Sequence, residues 1–394
     1  MSSADDTIVV NERGKERDVA VVLSGGGMNA VVLELGFLKR LRESSLWPRI
    51  GWFFGTSAGA LAGTMGALDA LEELEEFLLG LRPEDTFCAN RLWRLPLLGT
   101  HDYVLPRTIE ERLGDPVAIA QDLARAPAEV VVIVTDVTVT AGDGRGPRLF
   151  ERAYSSKLTP PEEMAQAVLA SAAISALVLP VLVGDRVGTD GGWVRNYPLG
   201  YAYERPGVEQ IVAFRYEPKY PIVGAGVLSG IAKRLGRYTR VPAARALHAE
   251  LERAAEREAR GQPAHIVDTF SRLSRVAIIR NTALEEVVAA WRDQTIGELA
   301  SLREDVRQLV EDAGLQQDAR RRLAAEVDAR FARARFPFRH DRLIPRITVT
   351  GAVGGVSLEP GFRKPRPWTL EAKRTLIETG YRLTDERLRA HGLS

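Results

Sequence analysis

Within residues 18–24, DVAVVLS, the run Val19–Leu23 is unbroken and apolar, and Ser24 and three glycines, Gly25-Gly26-Gly27, follow it. A run that is apolar at every position suits an interior strand of a parallel sheet, where both faces are covered. The following NAVVLELGFLKRLRES places Val32, Leu35, Leu38 and Leu41 at helical spacing. A second unit repeats the plan: residues 50–55, IGWFFG, read as a strand, and AGALAGTMGALDALEELEEFLLGL reads as one helix. Strand, glycine turn, helix, twice over, is the opening of a parallel α/β sheet.

Further strands are expected at 129–136 (EVVVIVTD), around Leu149 (RLFERAY), at 177–183 and from Glu209 (EQIVAFRY). The apolar stretch from Ala167 to Val183 is about as long as the shortest membrane-spanning helices. Ser171, Ser175 and Pro180 interrupt it, so the expectation is a buried helix over 161–175 and then a short strand. GDRVGTDGGWVRNYPL reads as a turn region rich in Gly and Asp. From 224 to 335 the chain turns to Ala, Arg, Glu and Leu and reads as several helices; within it ALEEVVAAWRDQTIGELASLREDVRQLVEDA is long and amphipathic, its charges expected to form mostly a solvated face. A late strand, ITVTGAV, and a closing helix, TLEAKRTLIETGYRLTDERLRA, follow.

Composition narrows the function. A net charge of +1 offers no field for nucleic acid. Cys88 is the single cysteine, which excludes an intramolecular disulfide and suits a reducing cytosol. The polar N-terminus, MSSADDTIVVNERGKERD, lacks the apolar core of a signal peptide. No His/Cys cluster has metal-ligand spacing, so neither metal nor cofactor is expected.

Three motifs can carry chemistry. SGGGMNA, between a strand and a helix, lets backbone N–H groups converge on a negative oxygen. It also fits a loose dinucleotide fingerprint, although the acidic residue that fingerprint wants after the second strand is replaced by Gly55-Thr56-Ser57. A structural turn is a third reading. GTSAG, with Ser57 at its centre, matches the G-x-S-x-G nucleophile elbow or a tight turn. Asp190 precedes two glycines in a sequence that is also an ordinary turn. None of the five histidines (His101, His248, His265, His340, His391) follows an obvious core strand, which disfavours an imidazole base.

Taken in order, SGGGMNA, GTSAG, ASAAISALVLP and DGG resemble the patatin-like phospholipase family, with weaker likenesses in VTDVTVTAGDGRGPRLF and TLIETGY. The resemblance spans roughly 18–215, fades over 347–390 and is absent across 224–335. It implies a three-layer α/β/α sandwich with a mainly parallel central sheet and an additional helical region. It also implies hydrolysis of carboxylic esters of (phospho)lipids by a Ser–Asp dyad: Ser57 the nucleophile, Asp190 the base, and the N–H groups of Gly25, Gly26, Gly27 and Met28 the oxyanion hole. The family usually has a basic residue two positions after its third glycine; here stands Asn29, which bears on phospholipid recognition, and Arg195 is a candidate substitute.

The expected division is a tail at 1–17, a hydrolase core at 18–223, a helical insertion or lid at 224–335 and a returning strand and helix at 336–394. GVLSGIAKRLGRYTR sets Val227, Leu228, Ile231 and Leu235 against Lys233, Arg234, Arg237 and Arg240, so it reads either as a domain helix with a basic solvated face or as a peripheral membrane contact within 227–240. The expected partner is a lipid or acyl-ester substrate, the expected compartment the cytoplasm, with or without attachment to a membrane surface. The rival readings are a non-catalytic lipid-binding or scaffold protein on the same fold, and a Ser–His–Asp esterase or thioesterase.

Overall fold

A computed structural model of the chain describes residues 17–90, 101–138, 150–174, 178–217, 242–260, 266–334, 342–352 and 368–393, with 262, 336 and 338. In chain order the strands are β1 (Val19–Leu23), β2 (Ile50–Thr56), β3 (Phe87–Ala89), β4 (His101–Tyr103), β5 (Glu129–Asp136), β6 (Glu151–Ser155), β7 (Val181–Val183), β8 (Arg186–Asp190), β9 (Gln210–Glu217) and β10 (Arg346–Ala352). The helices are α1 (Gly27–Arg42), α2 (Ala58–Ala67), α3 (Leu71–Gly80), α4 (Leu105–Arg112), α5 (Pro116–Arg125), α6 (Pro161–Ser171), α7 (Gly192–Arg195), α8 (Leu199–Glu204), α9 (Pro242–Ala259), α10 (Ile266–Asp312), α11 (Gln317–Arg333) and α12 (Leu370–Ala390).

Eight strands form the central sheet, in the order β10-β9-β1-β2-β5-β8-β7, with β6 also on β5. The run from β10 to β5 is parallel; β6, β7 and β8 are antiparallel additions at one side. Every residue of β1, β2 and β5 is buried, as their apolar runs require. One core packs α1, α2, α3, α6 and α12 against one face of the sheet, and a second packs α8 and part of α10 against the other. The fold is a mixed α/β architecture of helices on both faces of a mainly parallel sheet.

Several expectations need correction. The long helix after β2 is two helices, α2 and α3, because Asp69 between them adopts a left-handed conformation, φ 54°. The helix expected over 161–175 ends at Ser171, and the strand after it is confined to Val181–Val183. Arg186–Asp190 is a strand rather than a turn, since it pairs with both β5 and β7. Among the described residues no helix is long and apolar enough to cross a membrane. The basic stretch 227–240 lies outside the described residues.

The late strand and closing helix return to the sheet: β10 pairs with β9, and α12 crosses α1. That crossing is close because both helices present a glycine. A Cβ on Gly36 would strike the carbonyl of Ile377, and one on Gly380 the carbonyl of Leu33. Gly380→Val is expected to lower unfolding stability by about 3 kcal/mol in chemical denaturation. Gly297→Ala, on α10 where an added Cβ meets nothing within 4 Å, is expected to raise it by up to about 1 kcal/mol.

Candidate active site

β5 sets the register on which the site is built. Its Ile133 pairs with Thr56, the last residue of β2, and its next residue, Val134, pairs with Asp190, the last of β8. β6 occupies the other edge of β5 at the same positions, Val134 facing Arg152. β2 and β8 therefore lie end to end along one edge of β5, and the residue following Thr56 emerges beside Asp190. The Ser57 hydroxyl donates to Asp190 Oδ2 at 2.9 Å, and both side chains are buried.

Ser57 stands at the sharp turn between β2 and α2 with φ 54° and ψ −116°, a strained conformation for a residue with a Cβ. Its flanking glycines are sterically required. A Cβ on Gly55 would strike the Gly59 carbonyl, and one on Gly59 the Leu23 carbonyl, so the turn could not lie this close to β1. The Ser57 N–H donates to Ser171 Oγ at 2.8 Å, and the Ser171 hydroxyl donates to the Ile133 carbonyl at 2.6 Å. The end of α6 thus holds the turn against β5.

Asp190 Oδ1 accepts from the Gly192 N–H at 2.7 Å, and the Asp190 carbonyl accepts from the Thr135 hydroxyl at 2.7 Å. Burial pushes the carboxyl up from 3.8 to about 6, against the smaller opposing effect of the hydrogen bonds from Gly192 and Ser57. The partner of the Ser57 hydroxyl is thus a carboxylate rather than an imidazole. Of the described histidines, His101 lies in the β3–β4 hairpin, His248 pairs with Glu252 on α9, and His391 ends α12; His265 and His340 lie outside the described residues.

The glycine loop abuts this pair, since a Cβ on Gly25 would lie 3.2 Å from Ser57 Cβ. Gly25, expected as an oxyanion donor, is already committed: its N–H donates to the Asn196 carbonyl at 2.8 Å. For the N–H groups of Gly26, Gly27 and Met28 no hydrogen-bond partner is found among the described residues. They open α1, where unsatisfied N–H groups concentrate partial positive charge. Gly27 has φ 61°, and the direction its Cβ would take is open space.

The loop is framed from three sides. Ser24 N–H donates to the Phe214 carbonyl at 3.2 Å, and Ser24 Oγ accepts from the Tyr216 N–H at 2.8 Å, tying the loop to β9. The Tyr216 ring lies against Gly26, where a Cβ would collide with it. Asn29 is fully buried and donates to the Tyr216 hydroxyl at 3.1 Å, so it braces the loop instead of facing a substrate. Asn196 supplies the third side: Nδ2 donates to the Gly25 carbonyl at 3.2 Å and to Thr282 Oγ1 of α10 at 3.0 Å.

Arg195 does not serve as the substitute cation. It is held between Glu151, at 2.6 Å, and Glu285 of α10, and lies over the Tyr201 ring at 5.3 Å. Nor are the charges of α10 mostly solvated along this stretch. Asn281 donates to the Trp193 carbonyl at 2.7 Å, Glu286 pairs with Arg215 and Arg346, and Arg292 is buried over the Tyr203 ring at 4.2 Å. Sequence reasoning missed Asn196, Thr282 and Ser171. The first stands in the RNYP that follows the Asp-Gly-Gly turn, a legible signal of a buried polar anchor; Thr282, inside a long amphipathic helix, carries none.

The patatin-like phospholipase family model matches residues 21–203 of the chain. Among solved structures the chain is similar to the crystal structure of VipD from Legionella pneumophila, at 14% identity and a TM-score of 0.42, over 98% of this chain and 70% of that one. No curated protein matches.

The raised Asp190 carboxyl has a cost that can be measured. Its folded state binds the proton more tightly than the unfolded chain, so its contribution to stability is complete below pH 3.8 and is lost as pH rises through about 6. Asp190→Asn removes that loss. The variant is expected to be more stable than the parent at pH 8, by at most about 3 kcal/mol, and to converge with it below pH 4 in urea unfolding curves taken across that range.

Proposed function

We propose, from the match of residues 21–203 to the patatin-like phospholipase family model, that the chain is a lipid acyl hydrolase working through a Ser57–Asp190 dyad. The observation that carries this reading is the 2.9 Å hydrogen bond from a strained, buried serine to a buried carboxylate. Ser57 Oγ attacks the carbonyl carbon of a carboxylic ester while its proton passes to Asp190 Oδ2. The oxyanion formed on the carbonyl oxygen is received by the N–H groups of Gly26, Gly27 and Met28. The tetrahedral species collapses, the C–O bond to the alcohol breaks, and the alcohol leaves with the proton from Asp190. Water then attacks the acyl-Ser57 ester, giving one proton to Asp190, and the fatty acid departs as that proton returns to Ser57.

Two features make a carboxylate serviceable as the base. Displacement of Asp190 from 3.8 to about 6 adds about 3 kcal/mol of basicity. The bond to the Gly192 N–H fixes the other carboxylate oxygen, so Oδ2 faces the serine without reorganisation. An oxyanion donor contributes about 3–4 kcal/mol, which makes the glycine loop a principal source of rate. Asn29 and Arg195 are committed to internal partners, so the reading assigns neither of them to a lipid headgroup.

A fluorophosphonate ester probe tests the proposal. The parent protein should be labelled on Ser57, Ser57→Ala should not be labelled, and Asp190→Asn should react at least about 100-fold more slowly. A folded parent that stays unlabelled would reject the dyad in favour of a binding protein on the same fold, and labelling that persists in Ser57→Ala would reject it by placing the reactive nucleophile elsewhere.

A further inference from the structure

The helix α10 has two working faces. One is turned to the hydrolase core: Asn281, Thr282, Glu285 and Glu286 bond to it, and Ala289, Arg292 and Ile296 are buried. The other is apolar and bare. Leu273, Leu284, Val288, Trp291, Leu302 and Leu309 recur at intervals close to whole helical turns, so they share this face, and they are 44–68% exposed. With Val276 and Val287 they expose on the order of 800 Å², which is what one partner contributes to a standard-size interface.

The stripe is arranged about Trp291 so that it fits a reversed copy of itself. Counting outward from Trp291 in both directions, Val287 corresponds to Thr295, Leu284 to Glu298, Arg280 to Leu302, Val276 to Val306 and Leu273 to Leu309. Two such helices laid antiparallel, crossing at Trp291, therefore set stripe against stripe along their whole length. The charges within the stripe sort in the same way. Arg280 stands in its N-terminal half, and Glu298 and Asp305 stand in its C-terminal half, one turn to either side of Leu302. All three are exposed, and neither Arg280 nor Asp305 forms an ion pair among the described residues. In the antiparallel pair Arg280 sits opposite Leu302, between the two carboxylates of the other helix. In a parallel pair Arg280 would face Arg280, and each carboxylate its own copy.

We propose that α10 pairs with α10 of a second copy of this chain, antiparallel, on a two-fold axis at Trp291. A two-fold contact requires one surface to be complementary to itself, and this stripe is so in both apolar content and charge. The charges fix direction and register, as they do between paired helices generally. Two carboxylates within the stripe disfavour the anionic surface of a membrane as the occupant. The inference does not depend on the reading of Ser57, since Thr282 and Glu285 reach the candidate site from the opposite side of the helix.

Sedimentation velocity on the full chain at about 50 µM, above the micromolar Kd of a weak standard-size interface, is expected to show a dimer. Trp291→Glu and, separately, Arg280→Glu are expected to raise its Kd at least about tenfold. The double variant Arg280→Glu/Asp305→Arg exchanges the charges and is expected to bring the Kd back towards that of the parent. That recovery is specific to the antiparallel register, because in a parallel pair the two exchanged residues never meet. These positions are exposed, and an unchanged urea midpoint in each monomeric variant separates lost pairing from lost folding. A parent that is monomeric at this concentration would overturn the pairing; its flotation with phosphatidylcholine vesicles, abolished in Trp291→Glu, would then assign the stripe to a lipid surface. A dimer whose Kd is the same in Trp291→Glu and Arg280→Glu would overturn it too, by placing the contact elsewhere on the chain.

Discussion

The structure depends on one alignment: β2 and β8 meeting end to end on the same edge of β5. Strand pairing fixes backbone positions to a fraction of an ångström, and a slip of one residue would turn the side chains to the opposite face. Because Thr56 and Asp190 face consecutive residues of β5, the turn after Thr56 brings Ser57 to the Asp190 carboxylate with no loop between them to adjust. The strained Ser57 backbone persists because its surroundings over-determine it: Gly55 and Gly59 lie against neighbouring backbone, and Ser171 holds the N–H. Burial disfavours the charged form of Asp190 and so raises the basicity of its carboxylate.

The helical region enters this arrangement instead of standing outside it. α10 reaches the glycine loop through Thr282 and Asn196, holds Arg195 through Glu285, and meets β9 and β10 through Glu286. Asn196 is the junction, since its carbonyl takes the Gly25 N–H and its amide the Gly25 carbonyl, fixing both sides of one peptide turn. With Gly25 so occupied, the N–H groups of the glycine loop for which no partner is found among the described residues are those of Gly26, Gly27 and Met28, at the positive end of α1.

Strands whose burial is uniform were legible in the sequence, because a run such as AVVL or VVVIV needs no partner to be recognised. So were the glycine loop and the serine turn, where steric demand leaves a compositional mark. β8 was not legible: its RVGTD has the composition of a turn, and it is a strand because β5 and β7 pair with it. The break at Asp69 was hidden because Ala67, Leu68, Ala70 and Leu71 on either side of it favour helix. The charges of α10 look solvent-facing in sequence because their partners, Arg195, Arg215 and Arg346, lie far away along the chain. Asn29 was the instructive case: in sequence it marked only the absence of the family's usual basic residue, while its full burial against Tyr216 gives it a bracing role.

The central claim is that Asp190, raised by burial, takes the proton from Ser57. The most direct measurement is the pH dependence of the acylation rate constant in single-turnover stopped-flow experiments with a p-nitrophenyl ester. The account predicts a rate that climbs with pH, levels off with a midpoint near 6, and loses that inflection in Asp190→Asn. An inflection that survives unchanged in Asp190→Asn would place the base elsewhere and contradict the account.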